Sequence, residues 1–179
     1  MAAVANLTIE DFEKLPDTLA RYRELVDGEL VDVSGNVGDH NSLRDLLVVL
    51  LRPFVDAHRL GRVIGEQEYD FGGNAHGPDV SFMTPAKAPL YNGKRRVQPF
   101  VPDLAIEIVS ENDTFTSLMR KAQRYLAFGV QEVYILEIES RRALLLSDRR
   151  ESILGENDLF APETIPGFSI RIGELLDSV

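Results

Sequence analysis

Apolar and polar residues change period several times along the chain, and each change marks a different element. In TIEDFEKL, Thr8 followed three residues later by Asp11 predicts a capped short helix, ended by Pro16. RYRELV and ELVDVSG then flank Asp27-Gly28, a dipeptide that favours a two-residue hairpin. Leu43, Leu46, Leu47, Leu50, Leu51 and Phe54 recur at helical spacing, predicting a long helix capped by Asn41 and reaching about Leu60. Pro53 lies inside it and removes a backbone donor, so a kink or break is expected near Arg52.

Alternating or continuous apolar runs predict strands at 62–71, 78–83, 103–109, 131–138 and 142–147. The stretch 84–100 carries Pro, Gly, Asn and Lys94-Arg95-Arg96, and reads as an excursion or mobile loop. An amphipathic helix over 113–128 joins two of the strands, a βαβ unit that predicts a parallel pair within a mixed sheet. IPGFSIRIGELLDSV reads as a turn, a short strand and a final helical turn or two. There is no internal repeat, and residues 1–179 read as a single α/β domain.

The composition, 44% hydrophobic and 27% charged, is that of a soluble globular chain. No window approaches the ~20 apolar residues of a membrane span, and MAAVANLTIEDF has no positive n-region, so no secretory signal is expected. Absence of cysteine excludes disulfides and zinc–thiolate sites and fits a reducing cytoplasm. Three histidines, none in an HxxxH pair, argue against zinc altogether. The net charge of −10 changes the picture further, because nucleic-acid binding draws its affinity from basic patches. The basic clusters at Lys94-Arg95-Arg96, Arg120-Lys121 with Arg124, Arg141-Arg142 and Arg149-Arg150 read as solvated side chains. A promiscuous nuclease is therefore disfavoured.

Three residues stand out chemically. In DLAIEIV, Asp103, Ala105, Glu107 and Val109 share one face of a strand whose other positions are apolar, and a carboxylate there needs a partner or a cation. Lys121, fourteen residues after Glu107, falls at the border of its helix's apolar stripe, where its ammonium can extend over the sheet edge. Asp79 follows His76-Gly77-Pro78 at the start of another strand, twenty-eight residues before Glu107. Two carboxylates suit a hard cation such as Mg²⁺, which also takes water and phosphate oxygens. An ammonium nearby suits an attacking water or a developing charge. Bland readings compete: Asp79 as a turn residue, Glu107 as a salt-bridged strand end, Lys121 as a snorkelling side chain. Glu66 and Glu68 project to one face of their strand and read by default as surface acids, with an approach to Asp79 as the alternative, while Tyr125 reads as core with its hydroxyl satisfied at the edge.

Pro-Asp, then a strand Glu, then Lys resembles the PD-(D/E)XK nuclease superfamily. The usual lysine position two residues after the acid holds Val109 here, and Lys121 suits the variant in which the lysine has moved to the following helix. YRELVDGELVDVSG, His40 before a long helix, GPDVSF, PDLAIEIVSENDT, the helix with Lys121 and Tyr125, GVQEVYILE and IPGFSI together resemble the Uma-two-type putative restriction endonucleases, over about residues 20–175. The resemblance implies a restriction-endonuclease-like mixed β-sheet core flanked by helices. It implies Asp79, Glu107 and the Ile108 carbonyl as ligands of Mg²⁺ or Mn²⁺, Lys121 as the catalytic lysine, and Glu24, Glu29 and His40 as second-tier residues. DNA phosphodiester hydrolysis, with a homodimer plausible because duplex cleavage needs two sites, is the expectation. Alternatives are a non-catalytic binding module on the same fold, which the charge and Val109 favour, and a small-molecule phosphodiesterase.

Overall fold

The computed structural model describes residues 6–33, 38–111 and 113–177. Residues 1–5 of MAAVANLTIEDF, Ser34 and Gly35 of the hairpin segment, Asn112, and Ser178 and Val179 lie outside them. Helix α1 (Ile9–Glu13) starts with the expected capping box, in which Thr8 and Asp11 satisfy each other's backbone N–H groups. After α2 (Asp17–Ala20), β1 (Arg23–Val26) and β2 (Glu29–Asp32) form the predicted hairpin. Its turn residues Asp27 and Gly28 have φ of 50° and 82°, the double positive value of a turn that matches strand twist.

Helix α3 (Gly38–His58) begins three residues before Asn41, because Gly38, Asp39 and His40 form its first turn. It also continues through Pro53 instead of breaking at Arg52. The proline and Val49, whose carbonyl loses its usual donor, both lie on the exposed face, where water can serve that carbonyl.

The run 62–71 is two strands, not one. β3 (Arg62–Gly65) and β4 (Glu68–Asp70) belong to different sheets, and Glu66 between them takes a left-handed φ of 53°. Next come β5 (Ala75–His76) and β6 (Val80–Met83). The stretch 84–100 is ordered: it contains a 3-10 turn at Ala88–Leu90 and β7 (Val97–Gln98), which pairs parallel to β4. Fully buried Gln98 holds the loop by bonding the backbone of Asn92 and Arg95. β8 (Leu104–Ile108), α4 (Phe115–Ala127) and β9 (Glu132–Glu137) form the expected βαβ unit with a parallel pair. β10 (Arg142–Ser147) turns back through Asp148-Arg149 into β11 (Arg150–Leu154), and Arg149 and Arg150 are exposed at that hairpin, as expected of a solvated cluster. β12 (Leu159–Phe160), β13 (Ile170–Arg171) and α5 (Ile172–Leu176) close the described chain.

The central sheet has the order β11-β10-β9-β8-β6-β3. α3 covers one face, where Leu43, Leu47, Leu51 and Val55 meet Leu104, Ile106 and Ile108. On the other face, Leu118, Ala122 and Tyr125 of α4 pack with Ala105, Val133 and Ile135. That layer is shared with Tyr69 and Phe71 from the second sheet, β2-β1-β5-β4-β7. No helix among the described residues is long and apolar enough to cross a membrane.

Gly61 lets the chain entering β3 run close against the end of β6. With φ of 139°, a Cβ there would lie 1.9 Å from the carbonyl oxygen of Met83 on the paired strand. Gly61→Ala is expected to destabilise the protein by roughly 2 kcal/mol or more. Urea unfolding checks this, and an unchanged midpoint would contradict the packing described.

Candidate active site

Antiparallel pairing of β6 with β8 places Val80 opposite Ile106. One step further along the same register sets Asp79 opposite Glu107, where facing side chains come within about 5 Å. The Ile108 N–H donates to Asp79 Oδ2 at 2.7 Å, and His40 Nε2 from the first turn of α3 lies 3.3 Å from the same oxygen. Asp79 is thus held from both sides with Oδ1 left over. In an extended strand a residue's N–H and C=O point to the same edge, so the Ile108 carbonyl also projects toward Asp79.

Glu107 points to the α4 face and is 5% exposed. Its Oε1 accepts from Tyr125 Oη at 2.7 Å and its Oε2 lies 3.1 Å from Lys121 Nζ. Lys121 and Tyr125 are four apart on α4, one helical turn, which brings both over the same carboxylate. Lys121 Nζ also reaches Glu24 Oε1 on β1 at 3.0 Å. Glu24 in turn accepts from His76 Nδ1 at 2.8 Å and from the Gly77 N–H at 3.1 Å.

One ammonium thus faces a pocket that holds three carboxylates. Burial pushes the Glu107 carboxyl up; Lys121 opposes the rise, Asp79 and Glu24 add to it, and it reaches about 8. Burial also works against Glu24, but the Lys121 ammonium and the His76 hydrogen bond outweigh it and hold Glu24 at about 2. Desolvation disfavours the Lys121 charge, yet Glu107, Glu24 and Asp79 raise its pKa above the ordinary lysine value. Burial and the same carboxylates push the Tyr125 phenol well up, so it stays a donor.

The structure brings Asp79, Glu107, Lys121, Glu24, His40 and the Ile108 backbone together. Glu29 stays apart, exposed on the edge strand β2 opposite Val26. Glu66 turns its side chain to Arg44, although its N–H donates to the Asp79 carbonyl at 3.0 Å, and Glu68 pairs with Arg96. Sequence reasoning gave no role to His76 or Arg124; His76, three residues before Asp79 and next to Gly77-Pro78, was a usable signal. Among the described residues, no group of three or more His, Asp or Glu side chains is arranged to enclose a metal, and His40 Nδ1 is the buried side-chain atom without a partner. Two carboxylates and a carbonyl suit Mg²⁺, which keeps several waters, better than zinc.

A mixed sheet flanked by helices, with Pro-Asp entering one strand, an acid on the next and a lysine over both, defines a restriction-endonuclease-like nuclease fold. The chain belongs to the Uma2 family, described as "Putative restriction endonuclease", whose model matches residues 9–173. No curated protein matches the chain. The crystal structure of a putative nuclease belonging to DUF820 from Anabaena variabilis ATCC 29413 is similar at a TM-score of 0.84 and 20% identity, covering 96% of this chain and 98% of that one. The DrdV–DNA complex aligns over 76% of this chain and 85% of that one at 16% identity and a TM-score of 0.33, so the two folds superpose poorly.

Glu107 predicts an unusual pH dependence. Between its ordinary 4.5 and about 8, the folded protein holds a proton that the unfolded chain has released, so stability falls as pH rises through this window. Glu24 acts oppositely: its contribution is present above about 4.5 and is lost as pH falls toward 2. The melting temperature of the metal-free protein is expected to drop between pH 5 and 8.5, and Glu107→Gln to flatten that drop. An equal drop in the variant would contradict the assignment.

Proposed function

We propose that the chain is a divalent-cation-dependent nuclease that hydrolyses DNA phosphodiester bonds at the Asp79–Glu107–Lys121 cluster. The observation that carries the reading is that the β6–β8 register continues to bring Asp79 beside Glu107, with the partly buried ammonium of Lys121 on Glu107. Family membership supports the class of reaction. Asp79, Glu107 and the Ile108 carbonyl would hold Mg²⁺ or Mn²⁺, all hard oxygen donors. When bound, the cation supplies Lewis-acid polarisation of a phosphoryl oxygen and favours ionisation of the attacking water.

The chain's own groups do the rest. The Ile108 N–H and His40 fix the rotamer of Asp79. Tyr125 fixes that of Glu107 while its raised pKa keeps the phenol protonated. Lys121 remains charged, so it serves as a donor to the attacking water or to the developing negative charge, not as a general base at neutral pH.

A second reading, hydrolysis of a small phosphodiester, draws on the fate of the basic residues. Arg95 pairs with Glu13, and Arg96 with Glu68 and the Ala20 carbonyl, so this cluster is engaged within the fold of a chain whose net charge is −10. Long DNA gains little from such a surface.

Plasmid cleavage in Mg²⁺ or Mn²⁺ is expected for the wild type and abolished in Asp79→Ala and Glu107→Ala with the fold intact. Lys121→Met is expected to lower the rate about 10²–10³-fold. Full activity in either carboxylate variant would sink the assignment. Turnover of bis-p-nitrophenyl phosphate without plasmid cleavage would select the second reading.

A further inference from the structure

We infer that Glu24 is the standing anchor of the Lys121 ammonium, and that His76 and Arg124 are positioning residues that keep Glu24 in that place. Lys121 Nζ has two carboxylate partners at nearly equal distance, Glu24 Oε1 at 3.0 Å and Glu107 Oε2 at 3.1 Å. The inference rests on the reading above in one respect: Glu107 is the partner that a cation would engage. A lysine held by Glu107 alone would lose its counter-charge when that happened, and a buried ammonium without one is strongly disfavoured. Glu24 lies on a different sheet, is absent from the Asp79–Glu107 strand pair, and keeps its contact independently.

The surroundings of Glu24 are built for a charged acceptor. Its Oε1 takes the Gly77 N–H as well as Lys121, and its Oε2 faces His76 Nδ1 at 2.8 Å. His76 is 4% exposed, and its other nitrogen, Nε2, lies 3.1 Å from Arg124 Nη1. A guanidinium only donates, so Nε2 must be the bare acceptor and the ring proton must sit on Nδ1. His76 thereby donates to Glu24 through Nδ1 while Nε2 faces Arg124. Arg124 is steadied by Asp27 in the hairpin turn, with Nη2 3.2 Å from Oδ1. The line Asp27–Arg124–His76–Glu24–Lys121 thus ties the turn of the β1–β2 hairpin to the ammonium in the site.

Lysine ammonium resonances test this without any substrate. The chain has only Lys14, Lys87, Lys94 and Lys121, and Lys87, 2.9 Å from buried Asp103, is an internal control for the fold. In ¹⁵Nζ spectra of the metal-free wild type, Lys87 and Lys121 are expected to exchange slowly and the exposed Lys14 and Lys94 quickly. Glu24→Gln should speed Lys121 exchange roughly tenfold or more, the loss of a charge-assisted hydrogen bond, with Lys87 unchanged. His76→Leu should do the same in part, while His76→Asn, which retains an N–H near the position of Nδ1, should restore slow exchange. Saturating Mg²⁺ should leave the wild-type Lys121 signal in place and abolish it in Glu24→Gln. Unchanged Lys121 exchange in metal-free Glu24→Gln, or release of Lys121 by Mg²⁺ in the wild type, would overturn the inference. If Glu24→Gln fails to fold, the His76→Leu and His76→Asn pair decides in its place, and equal exchange in both would overturn it. A Lys121 signal in Glu24→Gln that Mg²⁺ leaves unchanged would contradict the cation site instead, leaving the metal-free comparison to decide the anchor.

Discussion

The rest of the site depends on one electrostatic imbalance: three carboxylates, Asp79, Glu107 and Glu24, gathered around the single ammonium of Lys121. Buried charges of one sign are tolerated only where hydrogen bonds or counter-ions compensate them. Here the backbone N–H groups of Ile108 and Gly77, the Tyr125 hydroxyl and the His76 ring supply much of that compensation. What remains is expressed in Glu107, whose carboxyl is pushed up to about 8 by burial and by its two like-charged neighbours. A perturbed acid beside a retained lysine is the pattern expected of a working site more than of a structural ion pair.

The fold exists, in this view, to bring that imbalance about. β6 and β8 set Asp79 and Glu107 side by side through their register, α4 returns over β8 to deliver Lys121 and Tyr125, and the first turn of α3 brings His40 to the far side of Asp79. The second sheet contributes from a different direction. β1 and β5 present Glu24 and His76, and the layer of Tyr69, Phe71 and Tyr125 seals the space between the sheets. The Phe71 and Tyr125 rings stack at 4.5 Å, so the side chain that donates to Glu107 is immobilised by the same core that joins the two sheets.

Local chemistry was legible in the sequence, and long-range pairing was not. The Thr8 cap, the Asp27-Gly28 turn and the βαβ unit around Lys121 each rest on contacts between near neighbours, and each formed as the residues dictate. Asp79, Glu107 and Lys121 stood out by residue type and strand or helix position, and the resemblance to a nuclease family gave them metal-ligand and catalytic roles, with Val109 where the lysine usually stands. The break at Glu66 was hidden because alternation continues across a change of sheet; only the backbone reveals that β3 and β4 part there. The start of α3 was displaced because Asn41 looked like a cap, whereas Gly38-Asp39-His40 already coil, which is what turns His40 toward Asp79. The His76–Glu24 contact joins residues 52 positions apart, and no local pattern announces it. Glu29 shares a hairpin with Glu24 but lies on its exposed edge strand, so adjacency in sequence did not mean adjacency in the site.

The central claim is that this excess of buried negative charge is a cation site. Calorimetric titration with Mn²⁺, wild type against Glu107→Ala, tests it without assuming any substrate. Binding in the wild type that disappears in the variant is the predicted result. Equal binding in both proteins, or no binding in either, would contradict the account.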